Sequence, residues 1–277
     1  MRYKIKHLFL CLLVFLHCSS ANESLQVGAE RTAKYFPLLK DKAIGVVGNQ
    51  SSLIGTTHLV DSLLSAKIQV VKVFSPEHGF RGTADAGAHI ENGIDEQTGL
   101  PLISLYGSNK KPSPSQLEGI EILVFDIQDV GARFYTYIST MHYVMESAAE
   151  NNIPLIVLDR PNPNGHYIDG PILDTAYRSF VGMHPIPIVH GMTIGEYAKM
   201  INGEKWLTDS VECDLTVIPM FGYNKQIPYD LPLKPSPNLP NAQAVNLYPS
   251  LCLFEGTNIS VGLSLIHISE PTRLSTI

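Results

Sequence analysis

Apolar residues in this chain recur in short, mostly continuous runs closed by polar clusters. Ala43–Val47, Ile68–Phe74, Leu102–Tyr106, Ile122–Phe125, Leu155–Leu158 and Leu215–Ile218 are such runs. Runs of this length need no polar alternation when both faces of the strand are covered, so six buried strands are predicted. Between them the apolar positions fall at helical spacing. Ser24–Leu39, Thr56–Ala66, Tyr137–Asn151 and Thr193–Asn202 are predicted helices, with Leu59, Leu63 and Leu64 on one stripe of the second. Ser113–Glu118 starts a short helix, with Ser113 or Ser115 as its cap. Strand alternating with helix gives βαβ units, an α/β class and a mostly parallel sheet with helices on both faces. From Ile227 to Pro249 the pattern stops. Pro228, Pro232, Pro235, Pro237, Pro240 and Pro249 are expected to forbid regular structure there, leaving a long ordered loop or the start of a second lobe.

Right-handed crossovers bring all parallel strand C-termini to one edge, and ligands of open α/β sheets bind outside that edge. The polar clusters closing the runs are therefore expected to converge: Asn49-Gln50, Glu77-His78, Asp126 with Gln128 and Asp129, and Asp159-Arg160. Ser75–Gly82 places Glu77 between a proline and a glycine turn, with His78 and Arg81 near enough in sequence to hold its charge. Asp126–Tyr137 carries Asp126, Gln128, Asp129, Arg133, Tyr135 and Tyr137; the arginine suits a carboxylate and the tyrosines suit sugar faces or hydroxyls. Asp159–Gly165 adds Arg160 and Asn162 on a loop fixed by two prolines, and Glu255 follows Phe254 further on. For each cluster the competing reading is an ion pair or rigid turn that serves the fold alone.

Composition narrows the chemistry. The 277 residues are 44% hydrophobic and 17% charged, with a net charge of −6. Arg2, Lys4 and Lys6 precede the apolar stretch Leu8–Leu16 and the small residues Ser19-Ser20-Ala21, the layout of a secretory signal over residues 1–21. Lipidation at Cys18 is the alternative processing point, and His17 fits it poorly. Without that segment the net charge falls by three, to −9. An acidic chain with no basic cluster is not built for nucleic acid, and no apolar run beyond the signal is long enough for a transmembrane segment. The expected location is periplasmic or extracellular. Of four cysteines, Cys213 and Cys252 lie outside the signal, as a disulfide or as two buried thiols. No phosphate loop, G-x-G-x-x-G, G-x-S-x-G or H-E-x-x-H is present, which removes the usual signs of nucleotide, flavin, serine-hydrolase and zinc-protease chemistry. His78, Asp85 and His89 have no metal-specific spacing, so neither a metal nor a cofactor is expected. Residues 263–277 break the pattern. LSLIHISEPTR is the in-frame translation of a transposase adapter used in library preparation, so native sequence is expected to stop near Gly262.

GNQSS (48–52), SPEHGFRG (75–82), DIQDVGARFYTY (126–137), DRPNP (159–163), residues 165–171, HGMTIGEYA (190–198) and LYPSLCLFEGTN-SVG (247–262) closely resemble the exo-β-N-acetylmuramidase family of NamZ-type proteins, and run in order along almost all of the chain after the signal. The resemblance implies a Rossmann-like catalytic domain, here 22–226, with 227–262 leading into a smaller C-terminal domain and the active site in the cleft between the two. It implies release of N-acetylmuramic acid from the non-reducing end of peptidoglycan fragments, with muropeptides or the MurNAc-GlcNAc disaccharide as partners. The family pattern departs at Gly262, where the suspected adapter begins. Glycoside cleavage normally takes two carboxylates. Glu77 is the expected general acid/base; Asp126 and Asp159 lead for the second role, Glu255 stands behind them, and a 2-acetamido group supplying its own nucleophile is the alternative. Arg133 or Arg160 would pair with the lactyl carboxylate. A non-catalytic muropeptide-binding protein and a metal-dependent hydrolase are the rival readings.

Overall fold

The computed structural model describes residues 25–81 and 92–257. The expected signal and Cys18, Asp85, His89 and the suspected adapter fall outside them. Strands are β1 (Ala43–Gly48), β2 (Leu53–Ile54), β3 (Thr57–His58), β4 (Gln69–Ser75), β5 (Gly93–Ile94), β6 (Pro101–Ser104), β7 (Ile122–Asp126), β8 (Leu155–Leu158) and β9 (Leu215–Ile218). Helices are α1 (Thr32–Leu39), α2 (Leu59–Ser65), α3 (Pro114–Leu117), α4 (Tyr137–Glu150), α5 (Ile194–Gly203) and α6 (Ala242–Leu251).

Seven strands form one sheet in the order β5-β6-β4-β1-β7-β8-β9. All neighbours pair parallel except β5, which lies antiparallel against β6. Setting β5 aside, the strands run third, second, first, fourth, fifth, sixth across the sheet, the doubly wound order. The winding reverses between β1 and β7, and that is where a crevice opens at the strand C-termini.

The reversal also fixes the layers, because right-handed crossovers on the two sides of β1 must leave the sheet on opposite faces. Ile44, Val46, Val73, Val124, Ile156 and Leu158 face α1 and α2, meeting Tyr35, Leu39, Leu59, Val60 and Leu63. Val47, Phe74, Leu123, Phe125, Leu155 and Val157 face the other way, toward Met141, Val144 and Met145 of α4 and Tyr197, Ala198 and Ile201 of α5. Successive residues of one strand thus fill different cores, which is why the central runs Ala43–Val47, Ile122–Phe125 and Leu155–Leu158 carry no polar member.

Three expectations need correction. The helix expected from Thr56 starts only at Leu59, because Thr57 and His58 pair with Ile54 and Leu53 across a turn at Gly55 (φ 59°). The first predicted helix begins as a 3-10 turn, Gly28–Glu30, before α1. The proline-rich stretch contains α6, capped by Asn241, whose side chain accepts the Ala244 N–H at 2.9 Å. Pro249 sits inside α6 and cannot bond the carbonyl of Val245, four residues back. Asn164 Nδ2 donates to that carbonyl at 3.2 Å instead. Cys213 and Cys252 are free and buried, and burial pushes their thiols to about 12 and about 11.

A buried polar chain crosses the α4–α5 layer. His142 Nε2 lies 3.6 Å from Glu146 Oε2, His142 Nδ1 is 2.9 Å from His184 Nε2, and His184 Nδ1 is 2.8 Å from the Tyr197 hydroxyl. Lys111 and the Thr208 N–H hold Glu146 at about 2 against the opposing effect of burial. A charged Glu146 orients every proton toward itself: His142 Nε2–H faces it, His184 donates to His142, and Tyr197 donates to His184. Burial lowers His142 to about 4 and His184 to about 3, helped in the second case by His142. Both rings are neutral in the fold and take up protons near 6.5 once unfolded. Stability contributed by the pair is therefore complete above pH 6.5 and falls as pH drops through 6.5 toward 4 and 3. Asp159, which burial raises to about 6, opposes this, since it gains a proton in the fold between pH 6 and 4. Two groups against one leave a net acid destabilisation on the order of a few kcal/mol by pH 4. Urea midpoints measured from pH 7 to 4 should fall steeply for the wild type and less so for His184→Gln; parallel curves would show that the pair does not titrate on unfolding.

Candidate active site

The loop after β1 is tied to the end of β7. Asn49 N–H donates to Ser52 Oγ at 3.0 Å, and Ser52 Oγ donates to the Asp126 carbonyl. Asn49 Oδ1 accepts from the Ser51 N–H and hydroxyl at 2.9 and 2.6 Å, and Ser51 Oγ accepts the Gln128 N–H at 3.0 Å. His58 accepts from Val60 N–H through Nδ1 and so donates through Nε2 to the Asn49 carbonyl at 2.9 Å. Asn49 is thereby fixed at the reversal point, wholly buried.

Glu77 follows β4 on a turn with two consecutive left-handed residues, His78 (φ 73°) and Gly79 (φ 77°), closed by Gly79 N–H to the Pro76 carbonyl at 3.2 Å. A side chain other than glycine in that region is strained, and such strain collects at functional sites. Glu77 itself is half-buried. Tyr106, at the end of the β6 run, hydrogen-bonds to it; burial first and then the Glu77 charge raise that phenol. Tyr137 reaches the Glu77 carbonyl at 3.5 Å. Burial, the charge of Glu255 and then Glu77 act on Tyr248. Glu255 lies on the exposed 3-10 turn after α6, yet its carboxyl is raised by partial burial and by the charge of Glu77, against the Tyr248 hydrogen bond. Tyr135 stands edge-on to Tyr137 at 4.8 Å and to Tyr248 at 5.9 Å. The structure thus gathers Glu77, Glu255, Asn49, Tyr135 and Tyr137 with two residues the sequence reading missed, Tyr106 and Tyr248.

Asp126 and Asp159 do not join them as free acids. Asp126 has no exposed surface and is gripped by Arg160, Nε to Oδ1 at 2.5 Å and Nη2 to Oδ2 at 2.8 Å. Arg160 also donates to the Leu53 carbonyl at 3.0 Å. A bidentate pair this buried holds β7, β8 and the β2 turn together and leaves neither partner for a substrate. Asp159 accepts the Gly195 N–H at 2.8 Å, the Arg160 N–H at 3.0 Å and the Thr193 hydroxyl at 3.0 Å, anchoring the N-terminus of α5. Arg133 Nη1 donates to the carbonyls of Pro171 and Ile186, which pins the 165–186 excursion, while its Nε has no partner among the described residues. Arg81 pairs with Asp95 at 2.8 Å and Asp61 at 3.5 Å instead of Glu77. Gln128 bridges the Asp129 and Pro161 carbonyls, and Asn162 holds Met192 and Asn164. The Asn162 side chain occupies the space a Cβ on Gly131 (φ 78°) would need, which explains that glycine. Asp129 is buried beside His190, Oδ2 to Nε2 at 3.5 Å. His190 was also missed as a site residue, although it opens the HGMTIGEYA stretch that leads into the Thr193 cap. Among the described residues no three His, Cys, Asp or Glu side chains are grouped to hold a metal.

A family model described as exo-beta-N-acetylmuramidase NamZ, N-terminal, matches residues 44–243. The chain is 49% identical over 235 residues to the peptidoglycan beta-N-acetylmuramidase NamZ of Bacillus subtilis (strain 168), covering 82% of this chain and 56% of that protein. A crystal structure of a DUF1343 family protein from Bacteroides fragilis NCTC 9343 superposes with a TM-score of 0.77 at 53% identity, over 84% of this chain and 62% of the other. A second DUF1343 protein of the same strain gives 0.76 at 37% identity, over 83% and 60%. The chain spans little more than half the length of the curated relative. The doubly wound sheet, the motif order and these matches agree: the chain belongs to the NamZ family and corresponds to its N-terminal part.

Proposed function

We propose that this protein is an exo-acting glycoside hydrolase that releases N-acetylmuramic acid from the non-reducing end of peptidoglycan fragments. The observation that carries the reading is the pair Glu77 and Glu255. One carboxyl is set on a strained turn beside the Tyr106 hydroxyl, with the Tyr137 hydroxyl on its backbone carbonyl, and the second has its proton affinity raised by partial burial and then by the charge of the first. Two interacting carboxyls are the equipment of glycoside cleavage, one delivering a proton to the leaving oxygen and the other acting as base or nucleophile. Tyrosine rings and hydroxyls suit a sugar, and the Bacillus relative is named for this activity. Export through the N-terminal signal fits an extracytoplasmic wall substrate.

Incubation with MurNAc-GlcNAc should yield free N-acetylmuramic acid and N-acetylglucosamine in equal amounts, unaffected by chelator. Binding of the disaccharide without release would identify a muropeptide-binding protein, and loss of release with chelator a metal-dependent hydrolase. Cell fractionation checks the export: a purely cytoplasmic protein would remove that part.

A further inference from the structure

Tyr248 reaches the site from α6, and ring contacts alone do not fix where it stands. It packs edge-on to Tyr135 at 5.9 Å, Tyr135 packs edge-on to Tyr137 at 4.8 Å, and the Tyr137 hydroxyl donates to the Glu77 carbonyl at 3.5 Å. Edge contacts hold over centroid separations of about 4.5–7 Å, so a row of rings lets a helix slide by an ångström or more. A directional tether comes from Asn164, on the loop after β8. Its N–H donates to Asn162 Oδ1 at 2.8 Å, which fixes the loop locally. Its Nδ2 donates to the Val130 carbonyl at 2.9 Å and to the Val245 carbonyl at 3.2 Å. One planar amide thereby joins the loop after β7 to α6, less than a turn ahead of Tyr248. Asn164 is 1% exposed, so both bonds lie away from water. Pro249 makes the tether possible. Residue 249 of an unbroken helix would give its N–H to the Val245 carbonyl, and proline has none to give. A buried carbonyl left open is costly, and Asn164 is the donor that meets it.

We propose that Asn164 is a positioning residue of the site: it holds α6 at the height that keeps Tyr248 packed on Tyr135 and the row of rings seated on the Glu77 turn. The inference rests on the glycosidase reading and adds to it a residue that touches no substrate. Satisfying the Val245 carbonyl and placing the helix are separable effects. A donor inside α6 meets the carbonyl but does not tie α6 to the loop after β7.

Pro249→Ala supplies that inner donor, and Asn164 can still bond the second lone pair of the carbonyl. This variant should turn over MurNAc-GlcNAc within a few-fold of wild type. Asn164→Ala should lower the melting temperature and should lower kcat/KM by about tenfold to a hundredfold, the range for a group misplaced by about an ångström. The double variant Asn164→Ala with Pro249→Ala should regain most of the melting temperature and keep the low rate. Compared with Pro249→Ala, it also supplies the measurement if Asn164→Ala alone does not fold. In a Tyr248→Leu background, Asn164→Ala should change kcat/KM by less than about twofold, because the tether acts through that ring. A rate that recovers together with stability in the double variant, or losses that multiply independently with Tyr248→Leu, overturns the proposal. Calorimetric titration with the disaccharide accompanies the kinetics. A wild type that binds but releases no product overturns the glycosidase reading alone, and the same variants compared by Kd then decide whether Asn164 places Tyr248. A wild type that neither binds nor releases overturns both.

Discussion

Asp126→Asn is expected to lower the unfolding free energy by about 3–5 kcal/mol, the cost of leaving one member of a buried ion pair uncompensated. The substitution keeps shape and removes charge, so Arg160 stays buried with Leu53 as its other acceptor. Urea denaturation should show the loss in the midpoint with an unchanged slope. The double variant Asp126→Leu with Arg160→Met should cost less than the sum of the single changes, because no lone charge remains. Activity of Asp126→Asn at low temperature, where the fold survives, should stay within a few-fold of wild type. A stable but inactive variant would instead return Asp126 to the chemistry and refute the structural role.

That prediction shows where the sequence was legible and where it was not. Strands β8 and β9 lie where the apolar runs placed them, and β1, β4, β6 and β7 within a residue or two, because a strand buried on both faces writes its identity locally, whereas the two-residue strands β2, β3 and β5 had no such run to announce them. The edge where Asn49, Glu77, Asp126 and Asp159 end was equally legible, since it follows from handedness alone. What was not legible is the partner each acid finds there. Asp126 meets Arg160 thirty-four residues on, and Asp159 meets the N-terminus of α5 thirty-six residues on. Both contacts depend on how β7, β8 and α5 lie side by side, and no local spacing encodes that distance. Glu77 was legible for a local reason: its turn needs a glycine at 79 and strains His78. Tyr248 escaped because six prolines outweighed the helix that carries it, and the Asn164 contact that compensates Pro249 comes from a remote loop.

Glu77→Gln is expected to reduce turnover of MurNAc-GlcNAc by about a thousandfold, within the range of a lost general acid–base group. The amide fills the same volume and can still accept from Tyr106, and Glu77 is only half-buried, so thermal stability should change little. Substrate affinity should be nearly unchanged, because the group acts on the leaving oxygen and the effect belongs in kcat. Glu255 supplies an internal check. Its proton affinity is raised by burial and by the charge of Glu77, so removing that charge should lower the Glu255 pKa in Glu77→Gln. Any residual activity in the variant should therefore keep its acidic limb down to a lower pH than the wild type, a shift readable in kcat against pH. Restoring rate with a substrate whose leaving group needs no protonation, such as a dinitrophenyl glycoside, would identify Glu77 as the proton donor. A variant within a few-fold of wild type on the disaccharide would remove Glu77 from the chemistry and leave Glu255 as the carboxyl to test.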